Sequence, residues 1–204
     1  MGVDKKQERK KVLEAFTRQS ILDAAVGLLT NDSIQGLTMD RVAMEAGVAK
    51  GTLYVHFKNK EEILDAALDA SFEPLIKESF ALMDGDLAPD RKLEECSLCH
   101  LRFFDKHQDL IRVLFFDRER MHSEKNHYAD NRYRTFVERV ADVLDDGVRE
   151  GLFQPLDSIK VAAMFVEANM GVVMQRVYDG SSGDVEKDAM QITKIFMEGL
   201  RKRK

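Results

Sequence analysis

Two cysteines and a histidine stand close enough in the sequence to hold haem or a metal ion. Cys96, Cys99 and His100 form the C-x-x-C-H spacing of covalent haem attachment. Haem is attached in this way to exported proteins, and residues 1–11 are charged with no apolar stretch behind them, so we expect no export signal. Cysteines three positions apart on a helix share a face and, when buried, pack as small apolar side chains. We therefore predict no cofactor and no metal, with redox or metal sensing through Cys96 and Cys99, aided by His100 or His107, as the alternative.

A second set of polar side chains lies in residues 38–57, which have the layout of a helix-turn-helix. The apolar residues of this segment recur where two short helices would face each other, and Gly47 between them allows a sharp turn. The second helix then presents side chains that donate or accept hydrogen bonds: Lys50, Thr52, Tyr54 and His56. Such a helix can enter the major groove of DNA and read base edges. The alternative is a helical hairpin with no affinity for DNA.

Helices must position these residues, because apolar side chains recur along the chain at helical spacing. The first helix ends near residues 31–33 and carries one apolar stripe: Val12, Phe16, Ile21, Ala25 and Leu28. Further helices are predicted at 38–47, 49–57, from 59 through a kink at Pro74, and at 90–105, 107–120, 126–149, 157–179 and 184–201. The helix from 59 opens with Asn59 and Glu62 at capping-box spacing. We predict an all-α fold of about nine helices.

Charge is unevenly distributed along the 204 residues. The net charge is −5, yet the first 60 residues hold ten Lys and Arg against seven Asp and Glu. A basic head on an acidic body suits a protein whose head alone approaches phosphate. No apolar run approaches the roughly 20 residues that a membrane span requires, so we expect a cytoplasmic protein without membrane contact. We find no recognised catalytic spacing and do not expect an enzyme.

Three stretches of the N-terminal part resemble the TetR family of transcriptional regulators. They are TRQSILDAAVGLL, GLTMDRVAMEAGVAKG and TLYVHFKNKEEIL, which together span residues 17–64. A looser similarity covers residues 145–165, DDGVREGLFQPLDSIKVAAMF. The resemblance implies a DNA-binding domain at 10–62, containing the motif at 38–57, and a ligand-binding and dimerisation domain at 63–204. It implies a repressor that binds palindromic operator DNA and is released by a small apolar or aromatic ligand.

The same resemblance assigns roles within the motif. Thr38 would contact a phosphate, and Lys50, Gly51 and Thr52 would approach base edges. The sugar-phosphate backbone would be held by Tyr54, His56, Lys58 and Lys60. Two residues depart from what the motif favours, because Ala49 stands where a capping Ser or Thr is usual and Asp40 places a negative charge on the DNA-facing side.

The body of the chain would form the dimer interface and the ligand pocket. The resemblance implies a homodimer through the helices at 157–179 and 184–201, whose apolar residues lie on more than one face. The aromatic and methionine side chains that would line the pocket are Phe80, Met83, Phe103, Phe104, Phe115, Phe136, Met164 and Met170. The alternative for both sets is that they fill an internal core.

Overall fold

The computed structural model describes residues 2–32, 36–108, 111, 127–180 and 183–201, and these residues are mostly helical. The helices are α1 (Gly2–Asp32), α2 (Met39–Glu45), α3 (Lys50–His56), α4 (Lys60–Asp84), α5 (Pro89–Lys106), α6 (His127–Arg149), α7 (Ser158–Asp179) and α8 (Val185–Leu200). Within these ranges there is no strand, only an isolated bridge between Phe153 and Arg201. The all-α prediction is confirmed. The helix predicted at 107–120 falls largely outside the described residues.

Contacts divide the chain into two compact units, Met1–Glu73 and Pro74–Lys204, with the division inside α4. Both units contain buried apolar side chains. Among the described helices, none combines the length and the apolar character needed to cross a bilayer.

In the first unit, α1 uses only part of its apolar stripe. Ile21 and Ala25 are fully buried, whereas Val12 and Phe16 are 66% and 71% exposed. The helix that packs on α1 is short: α2 has seven residues, about 10 Å, whereas α1 has 31 residues. It therefore covers only part of α1. The predicted stripe is therefore buried only in its C-terminal half.

In the second unit, α5 packs against α6, α7 and α8, and α6 packs against α7. The ends of α7 and α8 are fixed by local bonds: the side chain of Asp157 accepts from the N–H of Lys160 at 3.2 Å, and that of Asp184 accepts from the N–H of Lys187 at 3.0 Å. Gly180 ends α7 in the left-handed conformation, φ +61°. The three predicted ranges 126–149, 157–179 and 184–201 match these helices to within a residue.

The connection from α6 to α7 closes tightly on itself. The ring of Phe153 is buried against Gly147, where an added Cβ would lie 2.2 Å from a ring carbon. Beyond the ring, the N–H of Gln154 donates to the carbonyl of Leu200 at 2.9 Å. This loop thereby ties the end of α6 to the end of α8.

Candidate nucleic-acid interface

A capped helix, a sharp turn and a second short helix form the helix-turn-helix. The hydroxyl of Thr38 accepts a hydrogen bond from the N–H of Arg41 at 3.3 Å and so begins α2. The chain turns at Gly47, whose φ of +66° favours glycine. The inner face of α3 ends in Leu53 and Phe57, which are 0% and 1% exposed. These anchors leave the other face of α3 turned outward.

That outward face carries the residues predicted to read DNA. Lys50, Gly51 and Tyr54 are exposed, and Thr52 and His56 are half-buried. An added Cβ at Gly51 would meet nothing within 4 Å, so no packing inside the unit requires glycine there. The absence of a side chain gives a partner room to approach the backbone of α3 closely.

Asp40 and Lys50 form an ion pair across α2 and α3. Their Oδ1 and Nζ atoms lie 2.5 Å apart, and both side chains are more than half exposed. The hydrogen bond to Asp40, together with its charge, raises the pKa of Lys50. Position alone suggests that Asp40 repels phosphate, whereas the structure shows its charge paired with the lysine predicted to read bases. To read bases as predicted, Lys50 would have to exchange or share this partner.

Two apolar side chains that the sequence pattern did not single out are also exposed in this unit. Val55 is 79% exposed and Met44 is 69% exposed. Val55 lies four residues after Gly51 and so shares its face of α3, a spacing that could have identified it. An apolar side chain on a helix that enters the major groove can contact the thymine methyl group.

The start of α4 places the two predicted backbone-binding lysines. Asn59 accepts from the N–H of Glu62 at 2.9 Å, and the Glu62 carboxylate accepts from the N–H of Lys58 at 2.7 Å. The capping bonds predicted from the spacing are thus present, with the return bond made to Lys58 instead of Asn59. Lys58 is exposed and Lys60 is half-buried at the helix start. The acidic first turn offsets the cost of placing lysines at the positive end of the helix dipole.

Four of the side chains predicted to line a pocket lie in one chain of ring contacts in the second unit. Phe80 stacks on Phe136 with centroids 6.3 Å apart, and Phe103 meets Phe104 edge-on at 5.3 Å. His100 joins the two pairs, at 4.8 Å from Phe104 and 6.0 Å from Phe136. We call these five residues the aromatic cluster. The sequence alone indicates His100 only as a metal-binding or redox candidate.

The other predicted lining residues are placed differently. Met83 is buried and Met170 is half-buried, whereas Met164 is 63% exposed. Phe115 lies outside the described residues. A lining role for the whole set stays a prediction.

The cysteines lack the surroundings that a sensing thiol needs. Cys96 is 2% exposed and Cys99 is 8% exposed. Burial raises the pKa of Cys96 to about 12 and that of Cys99 to about 11, whereas reactive thiols have lowered pKa values. Within the part of the chain that the structure describes, no three His, Cys, Asp or Glu side chains are grouped to hold a metal ion. Nothing here supports the redox or metal alternative.

Two family models match the chain in the order of its two units. Residues 21–67, which contain the whole helix-turn-helix, match "Bacterial regulatory proteins, tetR family". Residues 86–178 match "Tetracyclin repressor-like, C-terminal domain". The chain belongs to the TetR family. As a TetR-family protein with this motif, it is a DNA-binding transcriptional regulator.

Full-length relatives and solved structures agree with the TetR assignment. The chain is 26% identical to the HTH-type transcriptional regulator YhgD of Bacillus subtilis, over 90% of this chain and 91% of that protein. It is 22% identical to the HTH-type transcriptional repressor KstR2 of Mycobacterium tuberculosis, over 91% and 93%. The structure of FadR from Bacillus subtilis, solved with stearoyl-CoA, has a TM-score of 0.78 at 20% identity and covers 90% of this chain and 99% of its own. This last likeness establishes the fold.

Proposed function

We propose that this TetR-family protein is a repressor that binds a palindromic operator as a homodimer and leaves it when a small apolar or aromatic ligand binds. The exposed, hydrogen-bonding face of α3 above a buried helix-turn-helix core is the observation that carries the proposal. Residues 10–62 bind DNA, and residues 63–204 hold the ligand and form the dimer. The protein acts by binding and not by catalysis, in the cytoplasm where its DNA is.

The DNA contacts divide into those that position the protein and those that read sequence. Base edges are met by the N-terminal part of α3, as in other helix-turn-helix proteins. Phosphates and sugars are met by the start of α2, the end of α3 and the start of α4. The reading residues are Lys50, Gly51 and Thr52, and the positioning residues are Thr38, Tyr54, His56, Lys58 and Lys60.

A two-fold dimer through α7 and α8 supplies a second DNA-binding domain. These helices expose five large apolar side chains, each more than half accessible: Ile159, Met164, Tyr178, Met190 and Ile195. A groove lined in part by Ala168, Val172 and Ile195 runs along the same pair of helices. Exposed apolar surface on this scale marks an interaction site, and a second copy would cover it with the same two helices. Dimers of this kind place their reading helices about 34–36 Å apart, one turn of DNA.

The ligand is proposed to be largely apolar. The aromatic cluster offers ring faces and edges suited to such a molecule. Two of the related proteins have names or structures that point the same way: FadR of Bacillus subtilis was solved with stearoyl-CoA, and KstR2 of Mycobacterium tuberculosis is described as a ketosteroid transcriptional regulator.

The proposal is tested by selecting genomic fragments on the purified protein and measuring its mass in solution. We expect a dimer and enrichment of fragments that share a palindrome. Lys60→Ala should weaken binding to every duplex alike. It should also lower the slope of log affinity against log salt concentration by about one for each DNA-binding domain. Lys50→Ala should instead change the base preference. Lys77→Ala, which removes an exposed lysine from the second unit, is the matched control. A monomer that enriches no fragment would refute the proposal.

A further inference from the structure

A buried polar atom of the aromatic cluster makes no hydrogen bond within the part of the chain that the structure describes. His100 on α5 is only 8% exposed, and its Nε2 makes no hydrogen bond to any described residue. Buried polar groups in proteins are almost always bonded, and each exception requires an explanation. The Nε of Arg176 is also unbonded, but the two other nitrogens of its guanidinium pair with Asp105 and Asp188. No described residue compensates the Nε2 of His100 in this way.

The surroundings of His100 are aromatic and come from three helices. Phe104 of α5 meets its ring edge-on at 4.8 Å, and Phe136 of α6 lies at 6.0 Å. Phe80 of α4 stacks on Phe136, and the guanidinium of Arg139 lies 5.3 Å from the centre of the Phe80 ring. Burial lowers the pKa of His100 to about 4, so the ring is neutral at physiological pH. A neutral imidazole has one nitrogen that donates and one that accepts.

We propose that His100 is the hydrogen-bonding anchor of the ligand site, where Nε2 bonds the uncharged oxygen of a hydroxyl or carbonyl group and the apolar body of the ligand lies on Phe80, Phe104 and Phe136. This inference rests on the proposed function and specifies the ligand that the protein takes. An uncharged oxygen is favoured over a carboxylate because the site supplies a neutral ring in apolar surroundings, where an ionised group would lose its hydration. The cation beside Phe80, Arg139, already pairs with Asp84. Ligands without such an oxygen would leave Nε2 unbonded and bind less tightly.

Three naphthalenes of similar shape test this chemistry on the full-length protein. The probes are 2-naphthol, 2-methylnaphthalene and 2-naphthoate, which offer a hydroxyl, a methyl and a carboxylate at one position. We expect 2-naphthol to bind about 5- to 10-fold more tightly than 2-methylnaphthalene, the ratio that one buried hydrogen bond supplies, and 2-naphthoate to bind least. Binding is measured by fluorescence titration. A native protein that binds none of the three, or that shows no preference for the hydroxyl, overturns the proposal.

Variants then assign the preference to the histidine. His100→Leu should remove the preference for 2-naphthol while leaving 2-methylnaphthalene bound equally well or better. His100→Gln keeps a donor and an acceptor and should retain most of the preference, so it also serves if the leucine variant fails to fold. His107→Leu is the matched control, because His107 is the other histidine near this end of α5. Its ring is half-buried and packs on Phe103. A preference that survives in His100→Leu overturns the assignment.

Operator binding separates this inference from the proposed function. If the protein binds no operator but shows the His100-dependent preference, the site stands and the regulatory proposal fails. If it binds operator and the preference is absent, only the ligand anchor fails.

Discussion

The buried histidine makes the stability of this protein depend on pH in a way that can be calculated. Burial lowers the pKa of His100 from its ordinary value of 6.5 to about 4. Between these two values the unfolded chain takes up a proton that the folded protein refuses, so acid favours unfolding. The contribution of His100 to the unfolding free energy is fully present above the pKa of the unfolded chain. It falls as the pH drops, until both states are protonated below about pH 4.

The expected loss follows from these two values. Going from about pH 7.5 to about pH 5, the single site should cost roughly 2 kcal/mol of unfolding free energy, and the limit below the folded pKa is roughly 3 kcal/mol. Other groups contribute to the total, so the site is isolated by comparing the native protein with His100→Leu. The variant should lose about 2 kcal/mol less over the same interval.

Urea denaturation followed by circular dichroism measures this difference, at one protomer concentration because dimers dissociate on unfolding. His107→Leu is the control, since the pKa of His107 is also lowered, by burial first and by Lys106 second, although that ring is only half-buried. The thiols of α5 do not titrate in this interval, because burial raises both of their pKa values. If the native protein and His100→Leu follow the same pH profile, His100 is hydrated or already bonded, and its role as an unpaired buried anchor is refuted.

Three further predictions concern the reading helix, the packing of the second unit and the thiols. Asp40→Asn removes the acidic partner of Lys50 from the face proposed to meet DNA, so fluorescence anisotropy should show tighter binding to operator and random duplex alike. Weaker binding would show that the ion pair positions the lysine. Gly147→Ala brings a methyl group to 2.2 Å from the ring of Phe153 and should lower the free energy of unfolding in urea by about 1–3 kcal/mol. Gly199→Ala is the control, because its methyl group meets nothing within 4 Å. Equal losses in the two variants would contradict this packing. The two buried thiols of α5 should react with an aromatic disulfide reagent only as the protein unfolds, and rapid labelling of the folded protein would contradict their burial.

The helix boundaries could be predicted because their determinants act locally. Thr38 and Asp157 each cap a helix through a bond to an N–H three residues on, and Gly47 and Gly180 each adopt a left-handed conformation at a helix end. Such signals need no knowledge of the tertiary fold. The outward face of α3 could be predicted for the same reason, since its buried anchors fix which side remains exposed.

The features that sequence did not reveal depend on contacts between helices. The pairing of Asp40 with Lys50 exists only once α2 and α3 lie against each other, so position alone suggested repulsion. Periodicity placed Val12 and Phe16 on the buried stripe of α1, but it reports which residues share a face and not how far the covering helix reaches. The unbonded nitrogen of His100 likewise depends on which side chains of other helices lie beside it among the residues that the structure describes.

Helix α5 carries the buried histidine and is also fixed to α7 and α8 by buried polar bonds. Arg176 of α7 is 6% exposed and bonds Asp105 of α5 at 2.8 Å and Asp188 of α8 at 2.6 Å. The hydroxyl of Ser97 on α5 donates to Asn169 of α7 at 2.5 Å, and both side chains are buried. Arg176 is buried whereas the two carboxylates are half-buried, so removing either carboxylate would leave the buried guanidinium with only one counter-charge. We predict that a displacement of α5 at His100 is carried to α7 and α8, the helices proposed to form the dimer, because these bonds join the three helices.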